Sequence, residues 1–246
     1  MTATPRTTEL LHRREAGRER AARVTTAADA LPQGKDGAAR VLNVLVAATG
    51  LVVLSPVFLG VALAVRLTSR GPVVYTQTRV GMDRRRRQAG TGACRRVQDL
   101  GGRPFTIYKF RTMTVDAEQQ SGAVWAKQAD PRVTSIGKFL RKTRLDELPQ
   151  LVNVLQGDMD IVGPRPERPS IFADLRTKIE HYPLRQRLRP GITGLAQISQ
   201  AYDSCLDDVR NKVDYDLQYI RKAGFWEDLR IMALTLPVMI FRKGGW

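Results

Sequence analysis

The hydrophobic pattern of this chain begins late. The first 38 residues are mainly Ala, Thr, Arg and Glu with Pro5 and Pro32, and offer no sustained apolar face beyond Leu10 and Leu11. Such a segment cannot bury enough apolar surface to offset its ordering entropy, so residues 1–38 read as a basic mobile arm. It does not read as a signal peptide, because the apolar run starts too late and no small-residue cleavage site follows it. Val41 to Val65 is then one uncharged run of 25 residues, more than the ~20 that cross a bilayer as a helix. Ser55-Pro56 interrupts it, leaving 14 residues before the serine and 9 after the proline. Proline removes a backbone donor and clashes with the carbonyl four residues earlier. The longer piece covers only ~21 Å, against a hydrocarbon core of ~30 Å.

Beyond Arg66 the chain turns polar and mixed. Pro72–Gln77 and Pro104–Phe110 have the β-branched and aromatic content of short strands, and Asp160 opens a third ahead of a proline-rich loop. The Asp83–Arg103 stretch between the first two is a basic, Gly-containing surface loop. Helical spacing returns at Ile136, Phe139 and Leu140, and at Leu148, Leu151, Val152 and Leu155 up to Gly157. A helix is expected over Ile171–Ile179, and a longer one carries Leu206, Val209, Val213, Leu217 and Ile220 up to Gly224. Ile231–Phe241 is apolar nearly all round but too short to span, so it suits a core or an interfacial helix. The pattern predicts an α+β chain, mostly helical, with a membrane helix–break–helix, a small sheet and amphipathic helices. Its divisions fall at 1–38, 39–68, 69–225 and 226–246.

Charge changes this picture. The 246 residues carry 40 Lys+Arg and 24 Asp+Glu, a net +16, which favours nucleic acid, anionic lipid or phosphorylated substrates. Aromatics are only 7%, and no helix-turn-helix, zinc-finger or RNP-type pattern appears, which argues against nucleic acid. A mean hydropathy of −0.27 argues against a polytopic membrane protein. Eight Lys/Arg precede the apolar run in residues 1–40 and ten follow in 66–103. Positive charge marks the cytoplasmic side, so a hairpin that enters and returns accounts for both flanks, whereas a kinked span misplaces one. Both remain open on these features alone. Cys94, Cys205, His12 and His181 lack metal-ligand spacing and suit a reducing compartment.

The densest chemistry lies in Arg141–Gln150. Asp146 and Glu147 precede a helix, beside Arg141, Lys142 and Arg144. Acidic residues there can simply cap the helix. Beside so many cations, they can equally serve as a nucleophile and a Mg²⁺ ligand near bound phosphate, and the residues do not say which carboxylate does which. Prolines on both sides of Arg165 pre-set its backbone for a bidentate phosphate contact. Arg189 stands likewise ahead of a rigid Pro-Gly turn. Strand alternation puts Lys109 and Arg111 on one face. Asp216 points along the apolar side of its helix and so needs an Arg, a metal or a ligand as partner.

These segments, RPFTIYKFRTM, DPRVTSIGKFLRKTRLDELPQLVNVLQGDMDIVGPRP and RPGITGLAQ, resemble the bacterial sugar transferases, the monotopic phosphoglycosyl transferases. The resemblance runs from about Arg40 to Phe241 and is closest to their minimal catalytic unit. It implies transfer of sugar-1-phosphate from a UDP-sugar to polyprenol (undecaprenyl) phosphate with release of UMP, through an aspartyl-phosphosugar and with Mg²⁺. It implies Asp146 as nucleophile, Glu147 as the metal-binding carboxylate, and Lys109, Arg111, Arg144, Pro164, Arg165, Arg189 and Asp216 as substrate-binding positions. It further implies Ser55-Pro56 as the break of a re-entrant helix, residues 69–225 as a cytoplasmic catalytic domain and 226–246 as an interface helix. The expected setting is the cytoplasmic face of a bacterial plasma membrane, with anionic lipid as a partner and a homodimer as one open assembly state. Where the family often carries an Asp ahead of the membrane segment, this chain has Arg40 and Asn43. Asp160 stands where Ser is common, and the Asp83–Arg103 loop is longer than usual.

Overall fold

The structure is a computed structural model that describes residues 31, 32, 34–84, 101–115, 117, 130–200 and 205–241, with residues 240 and 241 described by backbone alone. Most of the basic arm, Cys94 and the greater part of the 83–103 loop lie outside the described residues.

Helix α1 spans Gly37–Val53 and α2 spans Ser55–Thr68. Asp36 caps α1, its carboxylate accepting from the Ala39 amide at 2.7 Å. The helices meet at Leu54 and are bent by 62°. Ser55-Pro56 explains the break: Pro56 has no N–H to give the Val52 carbonyl, and the Ser55 hydroxyl donates to that carbonyl instead at 2.8 Å. Among the described residues no single helix is long and apolar enough to cross a membrane. One side of the bent pair buries Ala39, Ala47, Val61 and Val65, while Leu45, Val52, Leu59, Leu63 and Leu67 are exposed.

Strand β1 (Val74–Val80) pairs antiparallel with β2 (Pro104–Phe110), Val74 opposite Phe110 and Val80 opposite Pro104. β1 begins two residues later than the sequence suggests and runs on to Val80, because β2 offers pairing partners that far. Thr134 caps α3 (Ser135–Thr143), its hydroxyl accepting from the Gly137 amide at 3.0 Å. A 3₁₀ turn at Leu145–Glu147 leads into α4 (Gln150–Gln156), which ends at the left-handed Gly157. β3 (Asp160–Val162) pairs in parallel with β4 (Gly191–Thr193), and the crossover holds α5 (Pro169–Lys178) and a 3₁₀ helix over Tyr182–Arg187. Gly191 is required there, since any Cβ would run into the Gly163 amide. Helix α6 (Leu195–Ser199) precedes α7 (Leu206–Lys222) and α8 (Phe225–Phe241). α8 starts six residues before the apolar run it was expected to match, with Glu227 and Asp228 in its first turn. Among the described residues the architecture is mostly helical, and the expected small sheet is two separate two-stranded ladders.

Two apolar clusters hold these elements. The larger joins Ala47, Val154, Ile161, Val162, Tyr182, Leu188, Val213, Ile220 and Ile231 across α1, α4, β3, α7 and α8. The smaller packs Val61 and Val65 of α2 against Phe110 and Leu140. Full burial of each large side chain contributes about 1.5–3 kcal/mol, so the bent pair is fastened at both halves. Its root is also fastened by polar groups. Asp228, wholly buried, accepts from Lys35 Nζ at 2.7 Å, Asn43 Nδ2 at 2.7 Å and the Tyr219 hydroxyl at 2.6 Å. Asn43 Oδ1 in turn accepts from the Ile161 amide at 2.6 Å, and Arg40 reaches Asp160 at 2.8 Å. Arg40 and Asn43, the positions at which the chain departs from the family pattern, therefore tie α1 to β3.

Candidate active site

Asp146 and Glu147 sit on the 3₁₀ turn between α3 and α4, and both are buried. The turn is forced by Arg144, which ends α3 in the left-handed region at φ 59°, a backbone costing a non-glycine residue about 1 kcal/mol or more. The capping reading of Asp146 fails here. α4 begins behind Pro149, which receives no side-chain cap, and Asp146 Oδ1 is buried with no hydrogen-bond partner.

Glu147 is the opposite. Its Oε1 accepts from Lys109 Nζ at 2.8 Å and from Arg165 Nη2 at 2.6 Å, and its Oε2 lies 3.4 Å from Arg165 Nη1. Lys109 arrives from β2, Arg165 from the loop after β3, and Glu147 from the 3₁₀ turn, so three separate elements converge on one carboxylate. Arg165 Nη1 also donates to Gln197 Oε1 at 3.0 Å, while the Gln197 amide nitrogen is buried without a partner. Arg141 Nε donates to the Thr112 hydroxyl at 2.9 Å.

These surroundings drive the two carboxyl groups apart. Burial, then the adjacent Glu147 carboxylate, pushes Asp146 up to about 6 against the pull of Lys109, Arg165 and Arg141. Burial alone would raise Glu147 too, but Arg165 and Lys109 hold it well below the usual carboxylate range. The Lys109 ammonium is pushed down by burial, with Glu147 opposing. Such a pair shares its protons as a unit, with Glu147 the ionised member and Asp146 poised near neutrality.

The remaining expected positions are distributed differently. Arg111 does not follow Lys109 to Glu147. It is buried at the exit of α2, where Nη2 donates to the Ser69 carbonyl and hydroxyl, each at 2.7 Å, and where Nε and Nη1 have no partner. Arg189 Nε donates to the Gly157 carbonyl at the end of α4, at 3.0 Å. With Gly81, Arg84 and Arg103 it lines a shallow cleft that includes neither Asp146 nor Glu147. Asp216 on α7 is 2% exposed and accepts from Arg185 Nε at 2.6 Å, which supplies the partner its helical phase demanded. Pro164 lies beside Arg165, its carbonyl accepting from the Gly191 amide at 2.9 Å. Sequence reasoning missed Arg185 and Gln197, which look like an ordinary basic position and an ordinary helix amide.

Among the described residues no cluster of three or more His, Cys, Asp or Glu could cage a metal. Mg²⁺ does not require one, because it commonly takes one or two carboxylates plus substrate phosphates. The unpartnered Asp146 oxygen beside Glu147 fits that smaller donor set.

Comparison with known proteins points the same way. A family model described as bacterial sugar transferase matches residues 35–242. A UDP-glucose:undecaprenyl-phosphate glucose-1-phosphate transferase of Klebsiella pneumoniae is 42% identical over 199 residues, covering 80% of this chain and 39% of that protein. A UDP-N-acetylgalactosamine-undecaprenyl-phosphate N-acetylgalactosaminephosphotransferase of Aeromonas hydrophila is 38% identical over 206 residues, covering 84% and 44%. A UDP-glucose:undecaprenyl-phosphate glucose-1-phosphate transferase of Caulobacter vibrioides is 37% identical, covering 82% and 69%. The match thus spans less than half the length of the first two relatives.

Proposed function

Since the chain belongs to the bacterial sugar transferase family, we propose that it moves a sugar-1-phosphate from a UDP-sugar to undecaprenyl phosphate. The observation that carries this reading is the contrast within the pair: Asp146 unpartnered and near neutral, Glu147 ionised and clamped. In the first displacement an Asp146 carboxylate oxygen attacks the sugar-bearing phosphorus, and the bond from that phosphorus to the oxygen of UMP breaks. UMP leaves with the bonding electrons, and an acyl phosphate remains on Asp146. In the second, a phosphate oxygen of the lipid attacks the same phosphorus, the Asp146 oxygen departs, and the carboxylate is restored. Phosphoryl transfer is mainly positioning and charge stabilisation, which Lys109, Arg165 and Arg141 can supply. Asp146 and Glu147 would hold Mg²⁺, whose chemistry is to neutralise the diphosphate as it approaches two carboxylates.

The bent pair α1–α2 supports a re-entrant membrane hairpin rather than a span. Both flanks are basic, the break is built from Ser55-Pro56, and the outward face is apolar. Trp226, Leu236 and Met239 on α8 are also exposed, which suits a helix lying at a lipid interface at the cytoplasmic side of the plasma membrane. Anionic headgroups would meet the surrounding arginines.

The test is a panel of UDP-sugars with Mg²⁺ and undecaprenyl phosphate, scored for UMP release. One sugar should support turnover, and without the lipid it should release about one UMP per active site, the burst expected of a covalent intermediate. UMP release with no burst and no adduct on the Asp146 peptide would replace the two-step route with direct transfer.

A further inference from the structure

The loop that carries Arg165 is tied down at four consecutive carbonyls. Pro164 O accepts from the Gly191 amide at 2.9 Å, Arg165 O from Arg185 Nη2 at 3.2 Å, Pro166 O from Arg79 Nη1 at 3.1 Å, and Glu167 O from the Val80 amide at 2.9 Å. Pro164 and Pro166 have no donor of their own and a fixed φ, so these acceptors are the means by which the fold sets the loop. Arg185 holds the peptide of Arg165 itself, and it is held in turn. It is 1% exposed, its Nε meets Asp216 Oδ2 at 2.6 Å, and its Nη1 meets the Tyr182 hydroxyl at 3.0 Å. Burial would lower the Arg185 guanidinium, but Asp216 overrides that and keeps it charged. A buried ion pair adds little net stability over an apolar replacement, so what it contributes here is geometry.

We propose that Arg185, anchored by Asp216, is a positioning residue for Arg165. It fixes the carbonyl of Arg165 so that the guanidinium on the same residue reaches Glu147 and Gln197. On this account Asp216 acts on the site through two arginines in series and touches no substrate. The inference rests on the reading of Arg165 as part of the phosphate-transfer site. It gives a buried acidic residue on α7, paired through Oδ2 with Arg185, a route to the α3–α4 corner without substrate contact.

The experiment is a pair of cycles on the full chain in membranes. Arg185→Lys keeps charge but cannot serve Asp216, Tyr182 and the Arg165 carbonyl together. It should lower kcat on the order of 10–100-fold, the scale of a misplaced catalytic contact. In an Arg165→Lys background the same change should cost less than about twofold, because its target is already gone. Rates that multiply would overturn the proposal and leave Arg185 a plain fold staple. The second cycle needs no turnover. Glu147→Gln should lower Tm in the parent, because Arg165 and Lys109 lose the negative charge and one of the two oxygens they pair with. In Arg185→Lys the loss should be at most about half as large, the signature of coupled sites. A full-sized loss overturns the proposal even if no UDP-sugar is turned over, whereas failure of the panel alone strikes only the proposed function. If Arg185→Lys does not fold, Asp216→Asn, which keeps shape and an acceptor while removing the charge, is read in both cycles by the same criteria.

Discussion

The corner at Asp146 and the root of the bent helix pair at Asp228 each bury an aspartate among cations, and they treat the two in opposite ways. At the root, both oxygens of Asp228 are occupied, by Lys35, Asn43 and Tyr219. At the corner, Glu147 is occupied as fully, but its neighbour Asp146 keeps one buried oxygen with no partner. A buried polar group left unsatisfied costs free energy, a cost that Asp146 Oδ1 shares with Arg111 Nε and Nη1, Gln197 Nε2 and Asp160 Oδ2. The same residue chemistry thus makes a fastening at Asp228 and, on the proposed reading, a nucleophile at Asp146, whose Oδ1 is left without a hydrogen bond.

The largest effect should follow from removing the unpartnered group. Asp146→Asn cannot form an acyl phosphate, and loss of a nucleophile costs on the order of 10⁴-fold or more in kcat. UMP release, with and without lipid acceptor, measures it, and both burst and turnover should vanish. Normal turnover would reduce the corner to a second fastening and remove the contrast.

The fastening should fail differently. Asp228→Ala removes the carboxylate that Lys35, the Asn43 amide and the Tyr219 hydroxyl share, leaving Lys35 with the Val162 carbonyl at 2.7 Å and Asp160 at 3.4 Å, and breaking a buried ion pair from one side costs up to about 3–5 kcal/mol. Thermal or denaturant unfolding should show that loss, while the catalytic rate of whatever protein remains folded stays near the parent value. A variant that loses rate but keeps its Tm would place Asp228 with the chemistry instead.

Glu147 lies between these extremes, since it is satisfied like Asp228 yet sits beside Asp146, the proposed nucleophile. Its carboxyl is held below its ordinary value of 4.5, so the stability it contributes is present above that pH and lost as pH falls through the depressed value. Glu147→Gln should therefore lower Tm at pH 7, by a loss that shrinks on acidification below pH ~4. Turnover should fall at every pH on the order of 10²-fold, the usual scale for one electrostatic contact.

How much of this could be read beforehand depends on the range over which each signal acts. The helix break was legible because Ser55-Pro56 stands alone in an uncharged run, and β2 because Pro104–Phe110 is bounded by Gly and Arg. The β3–β4 ladder was not, since Gly191–Thr193 has the composition of a turn and its partner lies across a long crossover. The start of α8 was hidden behind charged Glu227 and Asp228, which resemble a linker unless Asp228 is seen to be buried. At the site, the company of Arg141, Lys142 and Arg144 marked Asp146 and Glu147. Burial of Asp216 followed from its helical phase, and so did its need for a partner. No local signal could pick Arg185 out of a run that reads Leu-Arg-Gln-Arg-Leu-Arg, because what distinguishes it is a contact 31 residues away in sequence. Position along a helix foretells burial, but it cannot foretell which distant side chain meets it.

The smallest predicted effect is the most direct probe of the missing bond. Folding raises the Asp146 carboxyl from an ordinary 3.8 to about 6, so Asp146 should destabilise the protein wherever it must ionise. Below pH ~4 the carboxyl is protonated in both folded and unfolded chains, and Asp146→Asn should change Tm little. Between pH ~4 and ~6 the unfolded chain releases its proton while the folded one retains it, so the parent loses stability as pH rises and the Asn variant does not. Above pH ~6 both states are ionised and the gap should level off on the order of 1–3 kcal/mol, since each tenfold rise in proton affinity corresponds to about 1.4 kcal/mol. The inactive variant should accordingly be the more stable protein at neutral pH and lose that advantage in acid. Asp228→Asn should show no such gain at any pH, because its carboxylate already has every partner it needs. Equal behaviour of the two variants would mean that Asp146 is satisfied after all, and that the two buried carboxylates do the same work.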